Sequence, residues 1–298
     1  MNKIYIKGDV HAKFQELMKP KSKWIGDGDY LIVCGDFGIW EWPPNQDVTF
    51  DRLAKMPYTI LFVDGNHENF DVLNSLPVEK WHGGKVHKIR DNVIHLMRGQ
   101  VFEICGKTFF TMGGASSHDI HDGILEPDDP ELERKVRILN RTERYFYRIN
   151  HVSWWKEELP SQEEYAEAVE NLAKHGWRVD CVLTHCCPNE IQDTLSNGNY
   201  EYDELTTWFE WLRTKLSFRH WFFGHYHGDR TFGTRYHMLY RSFFDLSDVI
   251  ADELCERRWY KSRKMWCFTQ PDAQNVLFLS VFWEKRTLSI QKTTLWMR

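Results

Sequence analysis

The 298-residue chain has no apolar run close to the roughly 20 residues a membrane-spanning helix needs. Its start, Met1-Asn2-Lys3-Ile4-Tyr5-Ile6, leads straight into a strand-like run and carries no leader pattern. No membrane attachment and a cytoplasmic location are the expectations. The charge excess is small, with a formal net charge of −5, so nothing global attracts nucleic acid or an anionic surface. Seven cysteines, an odd number at irregular spacing, fit reduced thiols better than a disulfide framework. No clustered Cys/His set has the spacing of a structural zinc site. Cys186 and Cys187 are adjacent, cannot form a Cys-x-x-Cys chelate, and read as loop or core thiols. Internal repeats and low-complexity linkers are absent too.

What is present is material for a large core: 42% apolar and 15% aromatic residues, including 14 Trp, which rules against a disordered chain. Ile4-Tyr5-Ile6, Tyr30 to Cys34, Thr59 to Val63, Cys181 to Leu183 and Trp221 to Phe223 are short and apolar without alternation. Such runs read as strands buried on both faces. Helices are expected over 14–18, 51–55, 69–76, 162–175 and 203–216. Ser161 and Glu164 offer a capping box for the fourth. Leu205, Trp208, Phe209 and Leu212 form an apolar stripe on the fifth. Residues 93–96, 101–104 and 108–112 are spaced like an antiparallel meander turning at Gly106-Lys107. The expected class is an α/β (α+β) sandwich with mixed sheets. Two stretches look added. One is a charged insert, about 118–152, with Arg134, Arg137, Arg141, Arg144 and Arg148. It is either a solvated helix face or a cap that offers cations to an anionic substrate. The other is a basic C-terminal extension, 249–298, expected to add strands to a domain spanning 1–248 or else to form a small appendage.

Four blocks and one single residue carry the chemistry. They are Gly8-Asp9-Val10-His11, Gly35-Asp36, Gly65-Asn66-His67-Glu68, His185 and Gly224-His225-Tyr226-His227. Each follows a strand-like run, and open α/β sheets place ligands at strand carboxyl ends. Asp9 and His11 alternate by two, as do His225 and His227, so each pair can lie on one side of an extended segment. The glycines before Asp9, Asp36, Asn66 and His225 are expected to let the backbone turn sharply. Asp, His and Asn donors suit Mn, Fe or Zn, whereas Mg or Ca would favour an all-oxygen set. Phosphoester hydrolysis needs an activated water and neutralised phosphoryl oxygens. Two cations about 3.5–4 Å apart supply both, and a carboxylate can bridge them.

In this order the blocks resemble the calcineurin-like metallophosphoesterase family, over about residues 1 to 245. The resemblance implies a four-layer sandwich of two mixed sheets flanked by helices. It implies one divalent ion on Asp9, His11, Asp36 and His227, and a second on Asp36, Asn66, His185 and His225. Asp36 would be the bridge and a catalytic residue. Mn would be the favoured metal, with Fe, Zn or Ni possible. His67 would face the substrate as phosphoryl clamp or general acid, oriented by Glu68 or another acid.

The chain departs from the family pattern at two places. Ala12 stands where the family often has Gly. The run Gly35-Asp36-Phe37-Gly38-Ile39-Trp40 lacks the Arg of Gly-Asp-x-x-Asp-Arg, which argues against a serine/threonine protein phosphatase. The phosphate clamp must then come from elsewhere. Candidates are Arg148, Arg141 and the loop from Gly113 to Asp119 with Ser116 and Ser117. Trp40, Trp42 and Pro43-Pro44 form either a packed loop or an aromatic wall. The expected activity is hydrolysis of phosphate mono- or diesters by a hydroxide bridging two metals, on a small or nucleotide-like substrate. Alternatives are a nuclease on single-stranded nucleic acid, tracked by the basic stretches, and an inert metal-binding scaffold.

Overall fold

Strands that are apolar on both faces need cover on both faces. The computed structural model, which describes residues 2–18, 25–40 and 46–247, provides it. The chain begins with β1 (Ile4–Lys7), α1 (Gln15–Met18), β2 (Tyr30–Cys34), α2 (Asp47–Leu53), β3 (Thr59–Val63) and α3 (Phe70–Ser75). Then come β4 (Val78–Trp81), β5 (Gly84–Arg90), β6 (Val93–Leu96), β7 (Gln100–Ile104) and β8 (Lys107–Met112). The insert holds β9 (Gly123–Leu125), α4 (Leu132–Arg141) and β10 (Tyr147–Ile149), and a 3₁₀ turn (Lys156–Glu158) leads to α5 (Gln162–Lys174). The remainder is β11 (Cys181–Thr184), α6 (Asn189–Ser196), α7 (Glu204–Lys215), β12 (His220–Phe223), β13 (Arg230–Phe232), β14 (Tyr236–Met238) and β15 (Phe244–Asp245). All described residues belong to one unit, Met1–Ile250. The extension expected over 249–298 lies outside the described residues.

Two large mixed sheets form the fold. One runs β15-β1-β2-β3-β6-β5-β4, the other β13-β14-β12-β11-β8-β7. Ile4, Ile6, Ile32, Cys34, Leu61 and Val63 of the first sheet meet Phe102, Phe109, Cys181, Leu183 and Phe222 of the second. The alternate residues Tyr5, Leu31, Val33 and Phe62 turn outward onto Phe14, Leu17, Phe50, Leu53, Phe70 and Leu73 of the α1–α3 side. Phe110, Val182, Trp221 and Phe223 pack likewise on Tyr165, Leu172, Leu205, Phe209 and Leu212 of α5 and α7. Helix, sheet, sheet, helix is the resulting order. β1, β2, β3, β11 and β12 are buried on both faces, which explains the missing alternation in their sequences.

The helix signals hold in detail. Ser161 and Glu164 form the reciprocal capping box of α5, and Asp203 accepts the Thr206 N–H at the start of α7. Asn69 caps α3 through Val72, and α2 starts earlier than expected, at Asp47. The expected meander is corrected. β7 and β8 do pair as a hairpin, but its turn is Cys105-Gly106, both with positive φ (52° and 71°). β6 pairs with β3 and β5 in the other sheet, so the chain changes sheets between β6 and β7. Hydrophobic spacing marks a strand without saying which sheet receives it. No described helix is long and apolar enough to cross a membrane.

One buried pair makes stability depend on pH. His237 on β14 is 4% exposed, shares a 3.1 Å contact with His220, and stacks on Phe222. Burial, aided by His220, lowers its pKa to about 4. The unfolded chain therefore binds more protons than the fold between about pH 6.5 and 4, and stability falls as pH falls through that window. For His237 the loss should total about 3 kcal/mol. Denaturant unfolding at several pH values should show a flatter profile for His237→Gln than for the unaltered chain.

Candidate metal centre

The functional blocks all lie just beyond the carboxyl ends of five strands. Asp9 and His11 follow β1, Asp36 follows β2, and Asn66 and His67 follow β3. His185 follows β11, and His225 and His227 follow β12. The strands come from both sheets, so the site sits at one edge of the sandwich.

Two groups of donor atoms converge there. In the first, His11 Nε2 and His227 Nε2 are 2.9 Å apart. They lie 3.7 Å and 3.0 Å from Asp9 Oδ2, and His11 Nε2 is 3.6 Å from Asp36 Oδ2. In the second, His185 Nε2 is 3.2 Å from Asp36 Oδ1. Asp9, His11 and His227, and again Asp9, Asp36 and His185, are close enough to hold a cation. Asp9 thus reaches both groups, and so does Asp36, whose Oδ2 faces His11 while its Oδ1 faces His185 and also accepts the His67 N–H. Asp9 Oδ1 is committed to the N–H of His225 (2.9 Å), and the His185 nitrogen nearest it donates to the Cys34 carbonyl. That last bond orients His185 so that its Nε2 faces the centre.

Three buried atoms here have no hydrogen-bond partner: Asp9 Oδ2, Asn66 Oδ1 and His185 Nε2. Unpaired buried polar atoms are costly, and all three are good ligands for a divalent cation. The residues therefore fit the metal that the ligand pattern implies. Burial disfavours charge on Asp36 and on His185, but their mutual attraction prevails. The carboxyl is held at about 2 and the imidazole is raised to about 9.

The expected reason for the glycines needs correction. Only Gly35 of the four has a positive φ, at 87°. What all four share is lack of room for a Cβ. Added at Gly35 it would lie 2.0 Å from His185 Nδ1, at Gly65 2.1 Å from Asp36 Oδ1, at Gly224 2.0 Å from Asp9 Oδ1, and at Gly8 1.8 Å from the Leu239 carbonyl oxygen. The left-handed turns fall on the ligands themselves: His11 (48°), Asp36 (46°), His225 (66°) and His227 (50°), with Ala12 at 58°. Each costs a non-glycine residue roughly 1–2 kcal/mol. Gly224→Ala should displace Asp9, impairing Mn²⁺ uptake and lowering stability by about 1–3 kcal/mol. Gly106→Ala meets open space and should cost only about 1 kcal/mol of left-handed strain, with metal uptake intact. Calorimetric metal titration and thermal unfolding of the two variants check this.

The structure also places the remaining candidates. His67 is half-buried, with its ring 5.5 Å from that of His11. Burial lowers its pKa, as do the charges of His11, His185 and Arg148, against the pull of Asp36. Glu68 does not orient His67. Its buried carboxylate accepts the N–H groups of Phe37, Gly38 and Ile39 and so pins the loop after Asp36. Arg148, on β10, is paired with Asp119 and close enough for its field to reach His67. Arg141 is exposed on α4, and Ser116 is partly buried. Ser117 is buried, its hydroxyl engaged with Glu158 and Asn66, which places it behind a ligand and not on the substrate face expected for it. Trp40 donates its indole N–H to the His67 carbonyl and stays 43% exposed, whereas Trp42, Pro43 and Pro44 lie outside the described residues. Cys186 and Cys187 are buried in the core beside α5 and α7.

Sequence reasoning missed several neighbours. His118 sits 3.1 Å from His225 and stacks on Tyr200. Tyr240 stacks on His227, and the fully buried Lys7 holds the Tyr240 carbonyl at 2.6 Å. Asp64 and Arg98 form a buried pair, with Asp64 two residues ahead of Asn66 in the loop that follows β3. Asp64 adjoins the Gly-Asn-His block and could have been suspected from that. Arg98 carries no local signal.

Comparison with known proteins adds three findings. No curated protein matches the chain. Among solved structures, the phosphopantetheinyl hydrolase of Mycobacterium tuberculosis is 16% identical, with 80% of this chain and 90% of that chain covered and a TM-score of 0.42. A structure described as a 5'-nucleotidase of Staphylococcus aureus, in complex with alpha-ketoglutarate, is 12% identical, with 80% and 49% covered and a TM-score of 0.39. The family model for calcineurin-like phosphoesterases matches residues 3–229, a span that contains every ligand candidate above; the chain belongs to that family.

Proposed function

We propose that the chain hydrolyses phosphate esters at a two-cation centre. Asp9, His11, Asp36 and His227 would hold one ion, and Asp36, Asn66, His185 and His225 the other. The carrying observation is the set of three unpaired buried donors, Asp9 Oδ2, Asn66 Oδ1 and His185 Nε2, at the meeting point of the two sheets. Bound divalent cations, Mn²⁺ first and Fe, Zn or Ni as alternatives, would supply Lewis acidity to water and to the phosphoryl oxygens.

The chain's own groups complete the site. Asp36 sets the spacing of the two donor groups, because its oxygens face different histidines. His67, of lowered pKa, is a neutral N–H donor near pH 7, suited to hydrogen-bond a phosphoryl oxygen. Arg148 adds positive field on the same side. A small, nucleotide-like ester suits the exposed rings of Trp40, beside His67, and Tyr200, beside His118.

A nuclease reading is weaker. In the insert Arg134, Arg144 and Arg148 are paired with Glu131, Asp122 and Asp119, which blunts a backbone-tracking stripe. The test is a panel of phosphomonoesters, phosphodiesters and single-stranded oligonucleotides with Mn²⁺, Fe²⁺, Zn²⁺ and Ni²⁺. Metal-dependent turnover of a nucleotide-sized ester is expected. Salt-sensitive cleavage of oligonucleotides alone would favour the nuclease. No turnover of any ester with any of the metals would refute the proposal.

A further inference from the structure

We infer that Ser117 is a positioning residue for Asn66, turning its carbonyl oxygen toward the second cation site; this rests on the two-cation reading above. A carboxamide can face a cation with either end, yet only the oxygen ligates. A buried asparagine ligand therefore needs something that tells its two ends apart.

Ser117 does so because its own proton is already placed. The hydroxyl donates to Glu158 Oε2 over 2.7 Å, and the backbone N–H of Ser117 donates to Glu158 Oε1 over 2.9 Å. Trp154 Nε1, just after the insert, donates to the same Oε1 over 2.9 Å. With its proton engaged, Ser117 Oγ can only accept, and Asn66 Nδ2 donates to it over 3.2 Å. A flipped amide would set oxygen against oxygen. Asn66 Oδ1 is thus the end left without a partner. Asn66, Ser117 and Glu158 are 6%, 6% and 2% exposed, so water does not compete for these bonds.

The test is calorimetric titration of metal-free full-length protein with Mn²⁺, followed by electron paramagnetic resonance. It is run at pH 8, where Glu158, pushed up by burial to about 7, is a carboxylate. Four proteins are compared: the unaltered chain, Ser117→Ala, Asn66→Asp and the double variant. Two ions should bind the unaltered chain. Ser117→Ala should weaken one of them about 10–100-fold, as loss of a ligand's supporting bond does, and leave the other unchanged. The spin-coupled two-Mn signal should then give way to that of an isolated ion at limiting Mn²⁺. In the Asn66→Asp background, where an oxygen faces Ser117 Oγ in either orientation, Ser117→Ala should weaken Mn²⁺ binding by less than about threefold, if at all. Equal losses in both backgrounds, or equal weakening of both ions, would mean that Ser117 only supports the fold. Unaltered two-ion binding by Ser117→Ala would overturn this inference alone. Fewer than two ions on the unaltered chain would overturn it together with the two-cation reading.

Discussion

Asp36→Asn should lower the turnover number by roughly a thousandfold or more while leaving the fold intact. The side chain is 1% exposed, and its two oxygens have different neighbours. Oδ1 accepts the His67 N–H over 2.9 Å and faces His185 at 3.2 Å, while Oδ2 faces His11 at 3.6 Å. An amide of the same shape keeps the first bond. It removes the negative charge, however, and presents N–H donors where an acceptor is required. On the proposed two-cation reading it could no longer join the ions, and Lewis-acid stabilisation of several kcal/mol would be lost with the bridge; each 1.36 kcal/mol is a factor of about ten in rate. Steady-state turnover with saturating Mn²⁺ measures the effect, and circular dichroism controls for folding. Activity within tenfold of the unaltered chain would show that Asp36 is not the bridge.

Arg98→Met should cost about 3–5 kcal/mol of stability, a fall of roughly 10 °C in thermal midpoint for a unit of this size. Arg98 is 6% exposed and bonds Asp64 Oδ2 through Nε (2.8 Å) and Nη2 (2.5 Å). It also donates to the Glu157 carbonyl over 2.7 Å. Asp64 in turn takes His95 on its other oxygen, and its backbone carbonyl accepts the Gly114 N–H. Arg98 therefore ties the end of β3 to the 3₁₀ turn, and the Asp64 carbonyl ties the same strand end to the loop after β8. Burial pushes the Asp64 carboxyl up, but Arg98 and His95 outweigh it and keep it well below the usual range. Removing Arg98 strands a buried carboxylate, which is why the loss far exceeds that of a surface pair such as Lys174–Glu170. The depressed carboxyl adds stability above about pH 4 that disappears as pH falls, so the gap between the two proteins should narrow in acid. Adding Asp64→Asn to Arg98→Met should restore part of the loss. If the double variant is no more stable than the single, the stranded charge is not the cause.

The parts of this molecule that could be read from its sequence are those with short-range causes. Ile4-Tyr5-Ile6 and Tyr30 to Cys34 announce buried strands because both faces are apolar, and Ser161 with Glu164 announces a helix start because the reciprocal bonds close within three residues. The blocks that carry the candidate ligands were visible because each follows its strand directly. Features set by contacts between distant segments were not. The pairing of β6 with β3, not β7, depends on which sheet has an open edge. Arg98 meets Asp64 across 34 positions, and Ser117 meets Glu158 across 41. Gly8, Gly65 and Gly224 were found for the wrong reason, because a missing Cβ looks the same whether it permits a turn or makes room for a side chain such as Asp9.

The most direct measurement is anomalous diffraction at the manganese edge from crystals grown with Mn²⁺. Two peaks about 3.5–4 Å apart, one beside His11 and His227 and the other beside Asn66 and His185, with Asp36 between them, are the expected result. A single peak, or peaks away from Asp36, would contradict the two-cation centre.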